Sequence, residues 1–295
     1  MRRKISDRIF KNINNLDNKR WYLMRKVTVP EIKATKTNGK RLAMVTCYDY
    51  TSAAIVEKSD IEIILVGDSL GMTMLGYDGT VGVLPEDIIH HGKSVRRGAP
   101  TTFVIGDMPF GSYNESDKLA VHTANRFMME FGADAIKLEG GKRSVSRIKA
   151  IVNAGIPVCG HIGLTPQSSS NMGGFKVQGK SIEAAKELLS DAKAVEEAGA
   201  FMIMVEGVPV SVCRYIRNNI NIPIIGIGAG NECEIQGIIM HDMLGYTEWV
   251  PKFAKKYANL GPQMLEAFNT YHSEVVEGKF PTPEYSYNTK VEGLD

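Results

Sequence analysis

Eight short runs of mostly apolar, often β-branched residues recur along the chain: Leu42 to Cys47, Ile61 to Val66, Thr101 to Ile105, Asp134 to Leu138, Ile156 to Gly160, Phe201 to Val205, Ile222 to Ile227 and Ile238 to Met240. Strands apolar on both faces are what a parallel sheet requires, because helical crossovers cover it from outside. Segments with helical spacing lie between them, at Ser52 to Ser59, Glu86 to Arg96, Glu115 to Phe131, Arg143 to Asn153, Ile182 to Glu197 and Val210 to Asn218. In the fifth, Ala185, Leu188, Leu189, Ala192 and Val195 form one face opposite Glu183, Lys186 and Glu187, and Gly199 suits a left-handed helix exit. Eight alternating units predict an α/β protein with a (β/α)8 TIM barrel, a doubly wound open sheet being the alternative. Ahead of the first strand, Thr28-Val29-Pro30-Glu31 has capping-box spacing with proline just inside, so a short helix is predicted from about residue 29, plugging the barrel bottom. Gln263 to Val276 reads as a terminal helix. The expected organisation is a basic extension over 1–23, a barrel over 24–277 and a tail over 278–295.

Hydrophobic residues make up 43% of the 295-residue chain and charged residues 23%, enough apolar surface for a large core. No apolar run reaches the roughly 18 residues of a membrane helix, and the N-terminus lacks the apolar region of a secretory signal. The expectation is therefore a cytoplasmic protein without a membrane partner. Cys47, Cys159, Cys213 and Cys233 are widely spaced without a CxxC pair, which predicts free thiols in or near the core. The formal charge of +2 hides an asymmetry: residues 1–40 hold 12 lysines and arginines against 3 aspartates and glutamates, leaving 23 against 30 in the rest. A basic arm on an acidic body without a recognisable nucleic-acid module argues for a solvated extension and no nucleic-acid partner.

In a barrel the chemistry belongs at the C-terminal ends of the strands, where adjustable loops converge over a rigid base. Polar residues gather there: Asp49 after the first strand, Asp68 and Ser69 after the second, Asp107 after the third, Lys137 and Glu139 on the fourth, His161 on the fifth, Glu206 on the sixth, Gly226 to Gly230 on the seventh, His241 and Asp242 after the eighth. A single aspartate in such a place is usually a helix cap, but the convergence of several points to a site. Asp68 and Asp107 end adjacent strands, about 4.8 Å apart, so their carboxylates can reach a common point. Two such carboxylates repel, and a hard cation relieves the repulsion; oxygen ligation completed by water is the habit of Mg2+ rather than zinc. Lys137 and Glu139, two residues apart, share a face. That face must be the inward one if they act, the alternative being a structural ion pair of Lys137 with Glu139 or Asp107 that closes the barrel. Glu206 shares a face with Met202 and Met204, and so apolar a strand predicts a raised carboxyl pKa suited to proton transfer. His161 is a second candidate base, or else a structural hydrogen-bonding residue. Gly226-Ile227-Gly228-Ala229-Gly230 has the look of a phosphate cradle, or of glycines that admit a non-phosphorylated substrate.

Six ordered segments, Val66-Gly67-Asp68-Ser69-Leu70-Gly71-Met72, Gly106-Asp107-Met108-Pro109-Phe110, Lys137-Leu138-Glu139-Gly140-Gly141, Cys159-Gly160-His161-Ile162-Gly163-Leu164-Thr165-Pro166-Gln167, Val205-Glu206-Gly207-Val208-Pro209 and Gly226-Ile227-Gly228-Ala229-Gly230-Asn231, resemble the ketopantoate hydroxymethyltransferase family. The resemblance runs from about Met24 to Tyr287. It implies a (β/α)8 barrel related to the phosphoenolpyruvate mutase and isocitrate lyase superfamily. It further implies transfer of a hydroxymethyl group from 5,10-methylenetetrahydrofolate to 3-methyl-2-oxobutanoate in pantothenate synthesis, through a Mg-stabilised enolate. By motif position it assigns Mg2+ to Asp68 and Asp107 with Glu139 in its coordination environment, substrate contacts to Ser69 and Lys137, and the proton acceptor to Glu206. It also implies a homo-oligomer, commonly a decamer.

The sequence departs from the family pattern at Glu234-Ile235-Gln236, where Asp-Gly-Gln is usual, over Asp78 to Leu84, and at Tyr285, where histidine is common. None falls on a proposed ligand, so these bear on folate affinity or assembly more than on the chemistry. A lyase of the related superfamily would carry a Lys-Lys-Cys-Gly-His loop motif, which is absent, and a non-catalytic scaffold would have lost a metal carboxylate or Glu206. Residues 1–23 have no family counterpart and no periodic apolar face. A chain beginning at Met24 is accordingly expected to match the full chain in activity and thermal midpoint; a loss above about 1 kcal/mol, several degrees for a domain of this size, would show that the arm packs on the folded protein.

Overall fold

A computed structural model describes residues 26–294; the arm over 1–23 lies outside the described residues. Eight parallel strands close on themselves in sequence order: β1 (Leu42–Thr46), β2 (Ile63–Val66), β3 (Phe103–Asp107), β4 (Ala135–Glu139), β5 (Val158–Gly163), β6 (Met202–Glu206), β7 (Ile224–Ile227) and β8 (Ile235–Ile238). β8 pairs with β1 through Leu42↔Ile235 and Met44↔Gly237, which closes the ring and excludes the open sheet. Helices α1 (Val29–Asn38), α2 (Tyr50–Lys58), α3 (Leu70–Thr73), α4 (Pro85–Gly98), α5 (Asp117–Arg126), α6 (Val145–Asn153), α7 (Ser169–Met172), α8 (Ile182–Glu197) and α9 (Val210–Arg217) belong to the same unit. A second compact unit, from Met240 on, contains α10 (Met240–Leu244) and α11 (Leu260–Val276).

Side-chain alternation along each strand sorts the residues into two cores. Leu42, Met44, Ile63, Leu65, Phe103, Ile105, Ala135, Cys159, Met202, Met204, Ile225 and Ile235 fill the barrel interior as one apolar cluster, as a ring of eight strands demands. Their alternates, such as Ile64, Val104, Ile136, Val158 and Ile203, are buried beneath the helices. The interior cluster also contains Val27 and Ile32 of the α1 segment, so that helix seals the N-terminal ends of the strands. α1 starts where its capping box lies: the Glu31 carboxylate accepts from Thr28 N–H at 2.8 Å and Thr28 Oγ1 at 2.6 Å.

Two elements differ from expectation. The eighth strand is Ile235–Ile238 rather than Ile238 to Met240, because pairing with β1 selects a segment whose Gln236 points outward and whose Gly237 has no side chain. Both residues break the apolar signature, while Met240 opens α10. The helix expected over Glu115 to Phe131 begins at Asp117 behind a Ser116 cap, and its end widens into a π-turn over Phe127–Phe131. Gly92 and Gly106 make room for those rings: a Cβ at either would lie 2.6 to 2.8 Å from ring carbons of Phe131 or Phe127. The Glu234 departure sits at the N-terminal end of β8, where its carboxylate accepts from Ile224 N–H at 3.0 Å and faces Arg217 at 2.8 Å, at the end of the barrel away from the strand C-termini. Among the described residues no helix is long and apolar enough to cross a membrane.

At the C-terminal end of β5, Gly163 pairs with Glu206 and has φ of 92°, which favours glycine. A Cβ there would lie 2.2 Å from the Glu206 carbonyl oxygen. Gly163→Ala is therefore expected to cost about 1–3 kcal/mol, the usual strain of a forbidden backbone conformation; a thermal midpoint equal to the parent's would show that β5 and β6 can shift apart freely.

Candidate active site

Going up the barrel wall, the inward positions change from apolar to ionisable at the C-terminal end of one strand after another. Phe103 and Ile105 are followed by Asp107, Ala135 by Lys137 and Glu139, Cys159 by His161, and Met202 and Met204 by Glu206. Strand register then sets these groups side by side: Asp107 is level with Lys137, Glu139 with His161, and Gly163 with Glu206. Asp68 and Ser69 follow β2 in the turn that starts α3. The residues singled out in the sequence thus gather at one end of the barrel, and Asp68, Asp107, Lys137, Glu139 and His161 are all buried.

The ion pair anticipated between Lys137 and Asp107 is present, with Nζ 2.5 Å from Oδ1. The other oxygen of Asp107 accepts from the Asp68 N–H at 3.1 Å, bringing the two aspartates together as their neighbouring strands suggested. Burial works against charge on Lys137, but Asp107, Asp68 and Glu139 more than offset it and hold the ammonium protonated far beyond the ordinary lysine range. Among the described residues Asp68 has no such direct cation. Burial, followed by the charge of Asp107, pushes its carboxyl well above the usual range, while Lys137 and the Gln167 side chain oppose the rise.

His161 stands between two carboxylates, with Nε2 3.2 Å from Glu206 Oε2 and Nδ1 3.5 Å from Glu139 Oε2. Burial and Lys137 pull its pKa down, yet Glu139 and Glu206 prevail and raise it to about 9. Glu206 therefore does not sit in the purely apolar setting that Met202 and Met204 suggested. It faces an imidazole, and its side chain keeps 16% exposure where that of His161 keeps 1%.

Sequence reasoning passed over three residues that hold this site. Tyr48 OH and Ser69 Oγ share a hydrogen bond of 2.7 Å. Gln167 donates to Asp68 Oδ2 at 2.8 Å and to the Met108 carbonyl at 3.0 Å, and Tyr113 OH donates to Gln167 Oε1 at 2.8 Å. Gln167 lies in a quoted motif, but its partners are remote in sequence, and nothing local marks Tyr48 or Tyr113. Conversely, Asp49 caps α2, accepting from Ser52 N–H at 2.8 Å. The glycines near β7 answer to packing, since a Cβ at Gly226 would lie 2.5 Å from Cys233 Sγ and one at Gly230 2.9 Å from Val210. His241 and Asp242 belong to α10, in the second unit.

Among the described residues no three histidine, cysteine, aspartate or glutamate side chains form a cage that could hold a metal by themselves. Mg2+ does not need one: one or two carboxylates, with water and substrate oxygens, meet its octahedral demand. Asp68 and Asp107 fit that role: both carboxylates are buried, the Asp68 backbone N–H bonds the Asp107 carboxylate, and the charge of Asp107 is felt at the Asp68 carboxyl. Both carboxylate oxygens of Glu139 are buried without a hydrogen bond, which fits a neighbour that accepts from metal-bound water.

Comparison with known proteins agrees with this geometry. A family model described as ketopantoate hydroxymethyltransferase matches residues 26–283. The 3-methyl-2-oxobutanoate hydroxymethyltransferase of Heliobacterium modesticaldum is 54% identical over 266 residues, covering 90% of this chain and 96% of that protein. The one from Clostridium acetobutylicum is 52% identical over 263 residues, covering 89% and 95%. Among solved structures, 2,3-dimethylmalate lyase, a member of the PEP mutase/isocitrate lyase superfamily, superposes with a TM-score of 0.55 at 16% identity over 88% of this chain and 93% of that one. Phosphonopyruvate hydrolase in complex with oxalate and Mg2+ does so with 0.58 at 11% identity, also over 88% and 93%. The last two likenesses concern the fold alone, an eight-stranded parallel barrel. With half its residues shared with these relatives over nearly its whole length, the chain belongs to the ketopantoate hydroxymethyltransferase family.

Proposed function

We propose that this protein transfers the one-carbon unit of 5,10-methylenetetrahydrofolate to C3 of 3-methyl-2-oxobutanoate, giving ketopantoate for pantothenate synthesis. The observation that carries the proposal is the row of Asp68, Asp107, Lys137, Glu139, His161 and Glu206 at one end of the barrel, in a member of this family. Mg2+ held by Asp68 and Asp107, with Glu139 orienting its water, would act as a Lewis acid toward the carboxylate and ketone oxygens of the 2-oxo acid. Lys137 keeps a fixed positive charge beside them. Ser69, oriented by Tyr48, offers its hydroxyl to the substrate.

Glu206 is the proton acceptor in this scheme. It is the least buried carboxylate of the row, and the His161 imidazole 3.2 Å away orients it. It removes the C3 proton; the folate methylene then exchanges both of its bonds to folate nitrogen, at N5 and N10, for one bond to C3 and one to a water-derived hydroxyl, and tetrahydrofolate leaves with the two nitrogens protonated. The raised pKa of His161 favours Glu206 over His161 as the first base. A superfamily lyase using a loop cysteine is disfavoured, since Cys159, next to Gly160-His161, is buried within β5 and burial raises its thiol to about 12. The homo-oligomer implied by resemblance, a decamer, finds support in α11, where Leu265, Phe268 and Val276 form an exposed apolar stripe that a second copy would cover. A reducing cytoplasm suits four free cysteines, of which Cys213 and Cys233 have sulfurs 3.2 Å apart without a bond.

Two measurements test the base. His161 titrates near 6.5 when unfolded and about 9 in the fold, so its contribution to stability is full below the lower value and is lost as pH rises through the upper. In metal-free protein the gap in thermal midpoint between the parent and His161→Gln should therefore narrow from pH 7 to 10; a constant gap would mean a neutral histidine. With Mg2+ and 3-methyl-2-oxobutanoate but no folate, the enzyme should exchange the C3 proton with deuterated water. Glu206→Gln should slow exchange by roughly 10²–10⁴, the usual contribution of a general base, and His161→Gln by less. The reverse ranking would refute the assignment.

A further inference from the structure

Asp107 is held by a buried ammonium and a backbone N–H, but Asp68 accepts a hydrogen bond from a neutral side chain that belongs to a different loop. Gln167, in the turn after β5, is buried and places its amide nitrogen between two acceptors, Asp68 Oδ2 at 2.8 Å and the Met108 carbonyl at 3.0 Å. Its amide oxygen accepts from Tyr113 OH at 2.8 Å, and the same hydroxyl lies 3.2 Å from the Glu139 carbonyl. Rotating the amide by half a turn would set its oxygen against a carboxylate and a carbonyl, both of which only accept. The amide therefore has one favourable orientation, and Tyr113 secures it from the other end.

We propose that Tyr113 and Gln167 form a positioning relay for the cation site: Tyr113 fixes the Gln167 amide, and Gln167 fixes the rotamer of Asp68 and occupies Oδ2 from the side. Asp68 Oδ1 then remains the oxygen free to meet the ion. Without the relay Asp68 would be the only one of the paired aspartates with a mobile carboxylate, since Lys137 secures Asp107 alone. Hydrogen bonds that orient ligating carboxylates typically change metal affinity 10- to 100-fold, through preorganisation and not through contact with the ion. Neither residue touches the reacting atoms in this arrangement. The inference rests on the reading of Asp68 and Asp107 as the Mg2+ site.

The test is calorimetric titration of Mg2+ into the metal-free full-length chain, with thermal midpoints measured on the same samples. Gln167→Leu, of similar volume but without donors, should bind Mg2+ roughly 10- to 100-fold more weakly. Tyr113→Phe should weaken binding by about three- to tenfold, the net worth of one hydrogen bond, and it remains informative if the leucine variant does not fold. The double variant should bind no more weakly than Gln167→Leu, because Tyr113 acts through Gln167. Parental Mg2+ affinity in Gln167→Leu, or in Tyr113→Phe, with only the thermal midpoint lowered, would make the pair structural and overturn the relay. Multiplying effects in the double variant would overturn it too, by assigning Tyr113 an independent action through the Glu139 carbonyl. Failure of the parent itself to bind Mg2+ would instead refute the cation reading on which the relay stands.

Discussion

Lys137 is the charge on which the upper half of the barrel depends. Burying one carboxylate costs several kcal/mol unless it is neutralised or paired, and here Asp68, Asp107 and Glu139 are buried within reach of one ammonium. The pairing has to be made on strands to hold. On flexible loops the carboxylates would swing apart into water, whereas Asp107 and Glu139 are fixed on β3 and β4 and only Asp68 stands in a turn. Asp107 and Lys137 are level across β3 and β4, so their contact follows from hydrogen bonds made for the sheet. The fold imposes the charge cluster, and the ammonium makes the cluster tolerable.

That neutralisation is uneven, and the unevenness gives the site a direction. Lys137 bonds Asp107, and His161 faces Glu139 and Glu206. Asp68 is left with an amide for its side-chain partner, and burial then pushes its carboxyl upward. Surplus negative charge therefore gathers at the β2 and β3 side, where an external cation would lower the cost most. The β6 side, by contrast, already balances its carboxylate with an imidazole. One end of the row suits binding a positive ion, the other suits accepting a proton.

Much of this was legible in the chain and some was not, for reasons of range. A parallel strand buried on both faces must be apolar throughout, so seven of the eight strands stood out from composition alone. β8 escaped because Gln236 and Gly237 interrupt its run at positions where only pairing with β1 explains them. That Lys137 and Glu139 share a face followed from the two-residue period, and their burial shows that the face is the inward one. Partners set by loops did not follow: Gln167 reaches Asp68 across 99 residues and Tyr113 reaches Gln167 across 54. No periodicity encodes such meetings. The environment of Glu206 was misjudged in the same way, since Met202 and Met204 describe its own strand but His161 approaches from the next.

Closure of the sheet is what brings the ends of this row to face each other. From β3 to β6 the row crosses three strand spacings, and in an open sheet its ends would lie about 14 Å apart on a nearly flat surface. In a ring of eight, β2 and β6 stand on opposite walls, and the interior is only wide enough for side chains. The aspartates and Glu206 thus confront each other across the mouth instead of standing in file. In the proposed reaction a small 2-oxo acid held by its oxygens at one wall would present its C3 proton toward the other. Among the described residues the apolar plug of Val27 and Ile32 closes the opposite end of the interior, which leaves the mouth as the end at which these groups can meet a substrate.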